Sequence, residues 1–348
     1  MIYHNKFRFQ DKDLASSTAL QFSLILYLLC CQENLLQCLM SFLIDSKLIF
    51  MKFEARKTIS CEAGEFSYLK KEGENDLNPI IFFHATGLNL ETYNNFFEEL
   101  FIQFEGKRTL IAFDQRGHGK SKAEANPSKL FSWDQYADDA VLILKALEIK
   151  KASFIGHSMG AIVAAEICRR NIFEVENLAL MDPVLLYNPK TAFFSSIRQK
   201  FNIWRSPTIA HYAAKRRSEF KNLEEAKSHY VGRSIFASWP ETSIEDYLIG
   251  GLEDHNDSMK LSCDPTWEAK TFETVSLNSY RTLKNIKVPV LILKASMNST
   301  IPNVGLNYLT KNEKIKLFEV EGTHFFLIEK PKEIAKKSIN FFEQENGK

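Results

Sequence analysis

The five residues Gly156-His157-Ser158-Met159-Gly160 constrain this chain more than any other stretch. Residues 152–155 before them form a short apolar run that suits a buried strand. Residues 161–170 after them have helical composition, with Ile162, Ala165 and Cys168 near helical spacing. A serine between two such glycines, at a strand-to-helix junction, predicts a sharp turn that presents the hydroxyl from a strained backbone. Side chains at positions 156 and 160 would collide with the neighbouring strand and helix. The pentapeptide alone is common, and the competing reading is a glycine-rich loop with an incidental serine. The flanking strand and helix favour the turn.

The rest of the chain supplies a frame for it. Alternating residues predict strands at 53–60 and 65–71, joined in a hairpin around Ala63-Gly64, and further strands are expected at 79–83, 109–113, 177–181, 288–293 and 314–320. A helix is expected over 133–149, capped by Ser132 or Asp134. Its buried face holds Tyr136, Ala137, Ala140, Val141, Leu144 and Leu147. A last helix is expected over 331–342, opening on Pro331. Apolar strands alternating with amphipathic helices make a mostly parallel α/β sheet covered on both faces, with its chemistry at the carboxyl ends of the strands. Residues 186–286 break the alternation and read as several helices rich in aromatic and basic residues. We expect a helical cap inserted over the strand ends, against the alternative of further core structure. The organisation expected is an extension at 1–50, core at 51–185, cap at 186–286 and core again at 287–348.

Composition narrows the classes. Of 348 residues, 45% are hydrophobic and 25% charged, and the net charge is +1. That balance is ordinary for a globular protein and argues against a nucleic-acid-binding face. Cys30, Cys31, Cys38, Cys61, Cys168 and Cys263 show no metal spacing and no C-x-x-C. They read as reduced, mostly buried thiols, and neither a metal nor another cofactor is expected.

Residues 1–50 differ from the remainder. Two apolar runs, 19–31 and 35–44, are separated by Gln32-Glu33-Asn34. Each is shorter than the ~20 residues that span a bilayer, and bridging them would put Glu33 at mid-membrane. Three readings stay open: a helical hairpin that associates with a membrane or partner through residues 19–44, an uncleaved anchor or signal, or an extension outside the folded unit with Met51 as the start. The expected location is cytoplasmic, with that segment as the one route to a membrane.

A serine hydroxyl needs a neighbouring base to act as a nucleophile. His324, in Gly322-Thr323-His324-Phe325, follows the last expected strand and can approach Ser158 from there. The third member should be a carboxylate that fixes the histidine tautomer. The loop after the penultimate strand, residues 294–302, holds no Asp or Glu, and Asn298 stands about where an aspartate is expected. Asp182, at the end of the strand that follows the serine's helix, is the acid of choice. Its alternative role is to cap the turn before Pro183. Two backbone N–H groups should receive a developing oxyanion: Met159, after the serine, and Thr86 in the loop His84-Ala85-Thr86-Gly87, with Ala85 as the next choice. The polar loop from Asp114 to Ser121 reads as structural, with a base role for His118 as the alternative.

FFHATG, FDQRGHGKS, IGHSMGA and GTHFF followed by IEKP together resemble the α/β-hydrolase superfamily. The resemblance covers roughly residues 52–342, loosely in the cap. It implies an eight-stranded, mostly parallel sheet with a helical cap, and it supports an acid after the sixth strand. The departures are Ala85, where many members have glycine, and Asn298 in place of an aspartate. Serine rather than aspartate at the turn implies ester, thioester, amide or carbon–carbon cleavage rather than epoxide hydrolysis or dehalogenation.

The leading expectation is a serine hydrolase acting on an apolar acyl ester, a small-molecule substrate. Cap aromatics Phe193, Phe194, Phe201, Trp204, Phe236, Trp239 and Trp267 are candidates for an apolar pocket, though such clusters usually pack a core. Lys215-Arg216-Arg217 reads as a solvated helix face. The alternatives are a thioesterase or carbon–carbon hydrolase, a non-catalytic small-molecule binder on the same fold, and a membrane-tethered interaction protein.

Overall fold

The computed structural model of the protein describes residues 56–75, 77–185, 208–277, 279–303 and 306–346. Residues 1–50 lie outside the described residues, as do Phe193, Phe194, Phe201 and Trp204.

The described core strands are β1 (Lys57–Cys61), β2 (Gly64–Lys71), β3 (Leu77–Phe83), β4 (Arg108–Phe113), β5 (Lys151–His157) and β6 (Glu174–Met181). Three short strands follow, β7 (Glu219–Phe220), β8 (Leu252–His255) and β9 (Ser258–Leu261), and then β10 (Val290–Ala295) and β11 (Ile315–Val320). Eight of them form one sheet in the order β1-β2-β4-β3-β5-β6-β10-β11. Only the β1–β2 and β2–β4 pairs are antiparallel. The hairpin pairs Cys61 with Gly64, whose φ of +124° suits a residue without a Cβ.

The period-2 pleat explains why these runs are apolar throughout. Ile80 and Phe82 of β3 enter one core, while Ile81 and Phe83 enter the other. On the first face pack α1 (Asn94–Gln103) and the closing helix at Pro331–Asn346. On the second pack α2 (Asp134–Ala146) and α3 (Met159–Arg170). The second helix ends short of the expected residue 149. Glu148 turns left-handed at φ 57°, and the N–H of Ile149 folds back onto the carbonyl of Leu144 at 3.0 Å.

The described part of the inserted region holds α4 (Thr208–Ala214), α5 (Leu223–Tyr230), α6 (Glu241–Gly251), α7 (Pro265–Glu273) and α8 (Ser279–Lys284). It is not helical alone, because β7, β9 and β8 form a small antiparallel sheet. Strands of two to four residues, rich in charge, leave no readable alternation. Phe220, Tyr230, Phe236, Trp239, Ile244 and Tyr247 bury one another in continuity with the first core face. Helix α7 faces the other way. Trp267 is 1% exposed, its indole N–H donates to the carbonyl of Arg116 at 3.0 Å, and Thr271 bonds Trp133 and Tyr136 of the core. Trp267 is therefore a packing residue rather than a pocket wall.

The remaining helices are α9 (Leu306–Leu309), α10 (Phe326–Glu329) and α11 (Pro331–Asn346). Cys61, Cys168 and Cys263 are free thiols. Among the described residues, no helix is long and apolar enough to cross a membrane.

Candidate active site

Ser158 follows β5 and holds the N-cap position of α3 with φ 56° and ψ −114°, a conformation that L residues rarely adopt. Its N–H donates to the carbonyl of Met181 at 2.9 Å, which ties the turn to the neighbouring strand. The two glycines are required by space. A Cβ on Gly156 would lie 2.5 Å from the carbonyl oxygen of Gly160, and one on Gly160 would lie 2.2 Å from that of Phe83. The sharp strand-to-helix turn expected from the sequence is present, and Ser158 is 7% exposed.

Asp182 follows β6, the next strand over, and is fully buried with φ 43°. Its Oδ2 lies 2.6 Å from His324 Nδ1. A carboxylate accepts, so Nδ1 carries the proton and donates, which leaves Nε2 of His324 with its lone pair. The carboxylate takes further bonds from Ala295 N–H at 3.0 Å, Ser299 Oγ at 2.6 Å and Thr300 N–H at 2.8 Å. Burial by itself would push the Asp182 carboxyl up. The bonds from His324, Ser299 and Thr300 outweigh it and hold the group below its ordinary value. Asn298 is exposed, in left-handed backbone at φ 54°. The loop after β10 thus brings hydroxyl and N–H donors to Asp182. Sequence reasoning passed over Ser299 and Thr300, whose one signal is a pair of adjacent hydroxyl residues in that loop.

The loop after β3 is held at both ends of one residue. His84 Nε2 accepts from the N–H of Gln115 at 2.8 Å, so its Nδ1 carries the proton and donates to the carbonyl of Ala85 at 2.8 Å. Burial pushes this imidazole down to about 4, which keeps it neutral. The N–H of Ala85 donates to the hydroxyl of Tyr93 at 3.1 Å. Ala85 has therefore already spent its donor. Thr86 N–H lies across a trans peptide from the Ala85 carbonyl and so points away from His84. The Thr86 side chain reaches Met159, its Oγ1 3.3 Å from the Met159 sulfur, so the two residues named for the oxyanion are neighbours.

The polar loop after β4 is a scaffold. Asp114 accepts from the N–H groups of Leu90 at 3.0 Å and Lys120 at 2.8 Å, and it pairs with Arg56. Arg116 grips Asp139 in a two-pronged bond. His118 is 1% exposed with Nδ1 on the carbonyl of Arg116, and burial pushes it down to about 3.

Arg216 corrects the expectation of a solvated basic face. Lys215 and Arg217 are exposed, but Arg216 turns inward. It bonds Glu268 Oε2 at 2.6 Å, Tyr230 Oη at 3.1 Å and the hydroxyl of Tyr247. Glu268 lies against Gly87, where a Cβ would come within 2.2 Å of its Oε1. The three basic residues look alike in sequence, and only the tertiary position of the second sets it apart.

Comparison with known proteins agrees with this frame. The family model for the alpha/beta hydrolase fold matches residues 78–331. A non-heme chloroperoxidase of Streptomyces lividans is 35% identical over 103 residues, 30% of this chain and 35% of that protein. The chain thus spans 35% of that relative's length, and 31% of that of a second non-heme chloroperoxidase, from Burkholderia pyrrocinia. A 2-(acetamidomethylene)succinate hydrolase of Mesorhizobium japonicum is 21% identical over 79% of this chain and 90% of its own. The solved thioesterase domain from the curacin biosynthetic pathway superposes with a TM-score of 0.67 at 16% identity, over 83% of this chain and 99% of that one. At that identity the likeness is one of fold.

Proposed function

The chain belongs to the α/β-hydrolase fold family, and on that premise we propose that it is a serine hydrolase that cleaves an apolar carboxylic ester or a related acyl substrate through an acyl-enzyme. Ser158 is the nucleophile, His324 the general base and Asp182 the acid. The backbone N–H groups of Met159 and Thr86 receive the oxyanion. The observation that carries this reading is the 2.6 Å contact between His324 and Asp182, which follows the strand next to the one that leads to a serine on a strained turn.

The chemistry follows from the hydrogen-bond inventory. With Nδ1–H spent on Asp182, Nε2 of His324 takes the proton as the Ser158 oxygen attacks the acyl carbon. The buried, ionised Asp182 stabilises the imidazolium that forms. The negative charge on the acyl oxygen meets two fixed N–H donors, each worth about 10²–10³ in rate at such sites. His324 returns the proton to the departing alcohol, and water then repeats the sequence on the acyl-enzyme. The surroundings of the base are apolar, because the Trp239 ring packs on Phe325, the residue after His324, at 5.2 Å between centroids, which suits an apolar acyl group.

Fluorophosphonate labelling of the purified protein beside its Ser158→Ala variant tests the reading. Labelling confined to the wild type is the expected result. A folded wild type that takes no label sinks the serine mechanism and favours a non-catalytic small-molecule binder.

A further inference from the structure

Two side chains, one backbone N–H and one carbonyl form a buried chain that the mechanism above does not use. Ala85 N–H donates to Tyr93 Oη at 3.1 Å, Tyr93 Oη meets His157 Nδ1 at 2.8 Å, and His157 Nε2 meets the carbonyl oxygen of His324 at 2.9 Å. The direction of every bond is fixed from one end. A carbonyl only accepts, so His157 carries its proton on Nε2 and donates it to His324. Nδ1 is then the acceptor, and the Tyr93 hydroxyl must donate to it. That hydroxyl keeps a lone pair for the N–H of Ala85. Nothing in the chain is left over. Ala85, Tyr93 and His157 are 3%, 1% and 0% exposed, so water does not compete for these bonds.

The chain joins the two loops that must be in register for acyl transfer: the loop that presents Thr86 and the loop that presents His324. It passes through the residue that precedes Ser158 in the turn. We propose that His157 and Tyr93 are positioning residues that lock the backbone of His324 to the oxyanion loop, so that its imidazole is held at working distance from Ser158. The proposal rests on the serine-hydrolase reading and extends it to residues that touch no substrate. The rings support the same role. Tyr93 packs on Phe82 at 4.7 Å, and His157 faces the His324 ring at 4.9 Å. The packing fixes where the hydrogen bonds point. A shift of about 1 Å in a catalytic group costs about 10²-fold in rate, which sets the size of the expected effect.

The geometry of amides separates positioning from packing. Glutamine places its Nε2 donor near the Nε2 of histidine, whereas asparagine reaches only as far as Nδ1. His157→Gln can still bond the His324 carbonyl, and His157→Asn cannot. We would measure the maximal inactivation rate and the binding constant for a fluorophosphonate in the wild type, both His157 variants and Tyr93→Phe. The expected result is a rate within about fivefold of wild type for His157→Gln, and about 10²-fold lower for His157→Asn, with binding constants unchanged. Tyr93→Phe, which keeps the ring, should lose about tenfold in rate. Equal losses in the Gln and Asn variants, or losses confined to binding, would overturn the proposal. If neither His157 variant folds, a normal rate in Tyr93→Phe overturns it. A wild type that takes no label at Ser158 removes the hydrolase reading and this inference together, whereas a labelled wild type with indistinguishable variants removes this inference alone.

Discussion

The Asp182 carboxylate meets the His324 imidazole at 2.6 Å from the end of β6, and the loop after β10 comes to it with Ser299 and Thr300 while Asn298 stays exposed. An acid after β10 would have approached the same imidazole from the neighbouring strand end, since β6 and β10 pair in parallel. We expect Asp182→Asn to lower turnover about 10⁴-fold and Asn298→Ala to cost less than about tenfold. Steady-state kinetics on any acyl ester that the wild type cleaves would decide, and the reverse order would transfer the role to Asn298.

Acid should destabilise the fold well above the carboxylate range. His84, His118 and His157 are buried and neutral, with values pushed down to about 4, 3 and 3, against about 6.5 in the unfolded chain. Below pH 6.5 the unfolded state takes up protons that the native state refuses, so stability falls as pH falls. Above it, both forms are neutral and these groups contribute no slope. Between pH 6 and 4 the three together contribute up to about 4 kcal/mol per pH unit. Urea unfolding at pH 7.5, 6, 5 and 4.5 measures this directly. A flat free energy across that range would contradict it.

Gly160→Ala should cost on the order of 3 kcal/mol or more, because the added Cβ meets the backbone carbonyls of Phe83 and His84 rather than a flexible side chain. Calorimetric melting of the variant is the check. An unchanged melting temperature would mean that the β3 loop yields without strain.

Arg216→Met should destabilise by about 3–5 kcal/mol, since it leaves Glu268 buried against Gly87 without its cation. Changing Glu268 to Gln in the same chain should recover most of the loss. Chemical denaturation of the single and double variants tests the pair, and equal stability of the two would assign the cost to lost packing alone.

The sheet was legible because the central strands are short, mostly apolar runs between polar loops, as at 79–83 and 109–113. The alignment of Asp182 with His324 could be anticipated because the loop after β10 offers no carboxylate and Asp182 ends the neighbouring strand. Other features carry no linear signal. Tyr93 and His157 are joined across 64 positions, and Arg216 differs from Lys215 and Arg217 only in the direction it faces. Trp267 looked like a pocket aromatic because its partners, Arg116 and Tyr136, come from distant parts of the chain. Such contacts are set by tertiary geometry, and no local periodicity encodes them.

Ser158, Asp182 and Asn298 all hold positive φ, at the ends of β5 and β6 and in the loop after β10. A non-glycine residue in such backbone costs on the order of 1–3 kcal/mol, and the parallel strands beneath must carry that load. On the serine-hydrolase reading, durability and reactivity therefore pull against each other at position 158. A chain with glycine there would lose its hydroxyl and relax its turn, and would outlast the active form. A melting temperature that rises in an inactive Ser158→Gly chain would be the mark of a fold that keeps its serine cocked at the expense of its own lifetime.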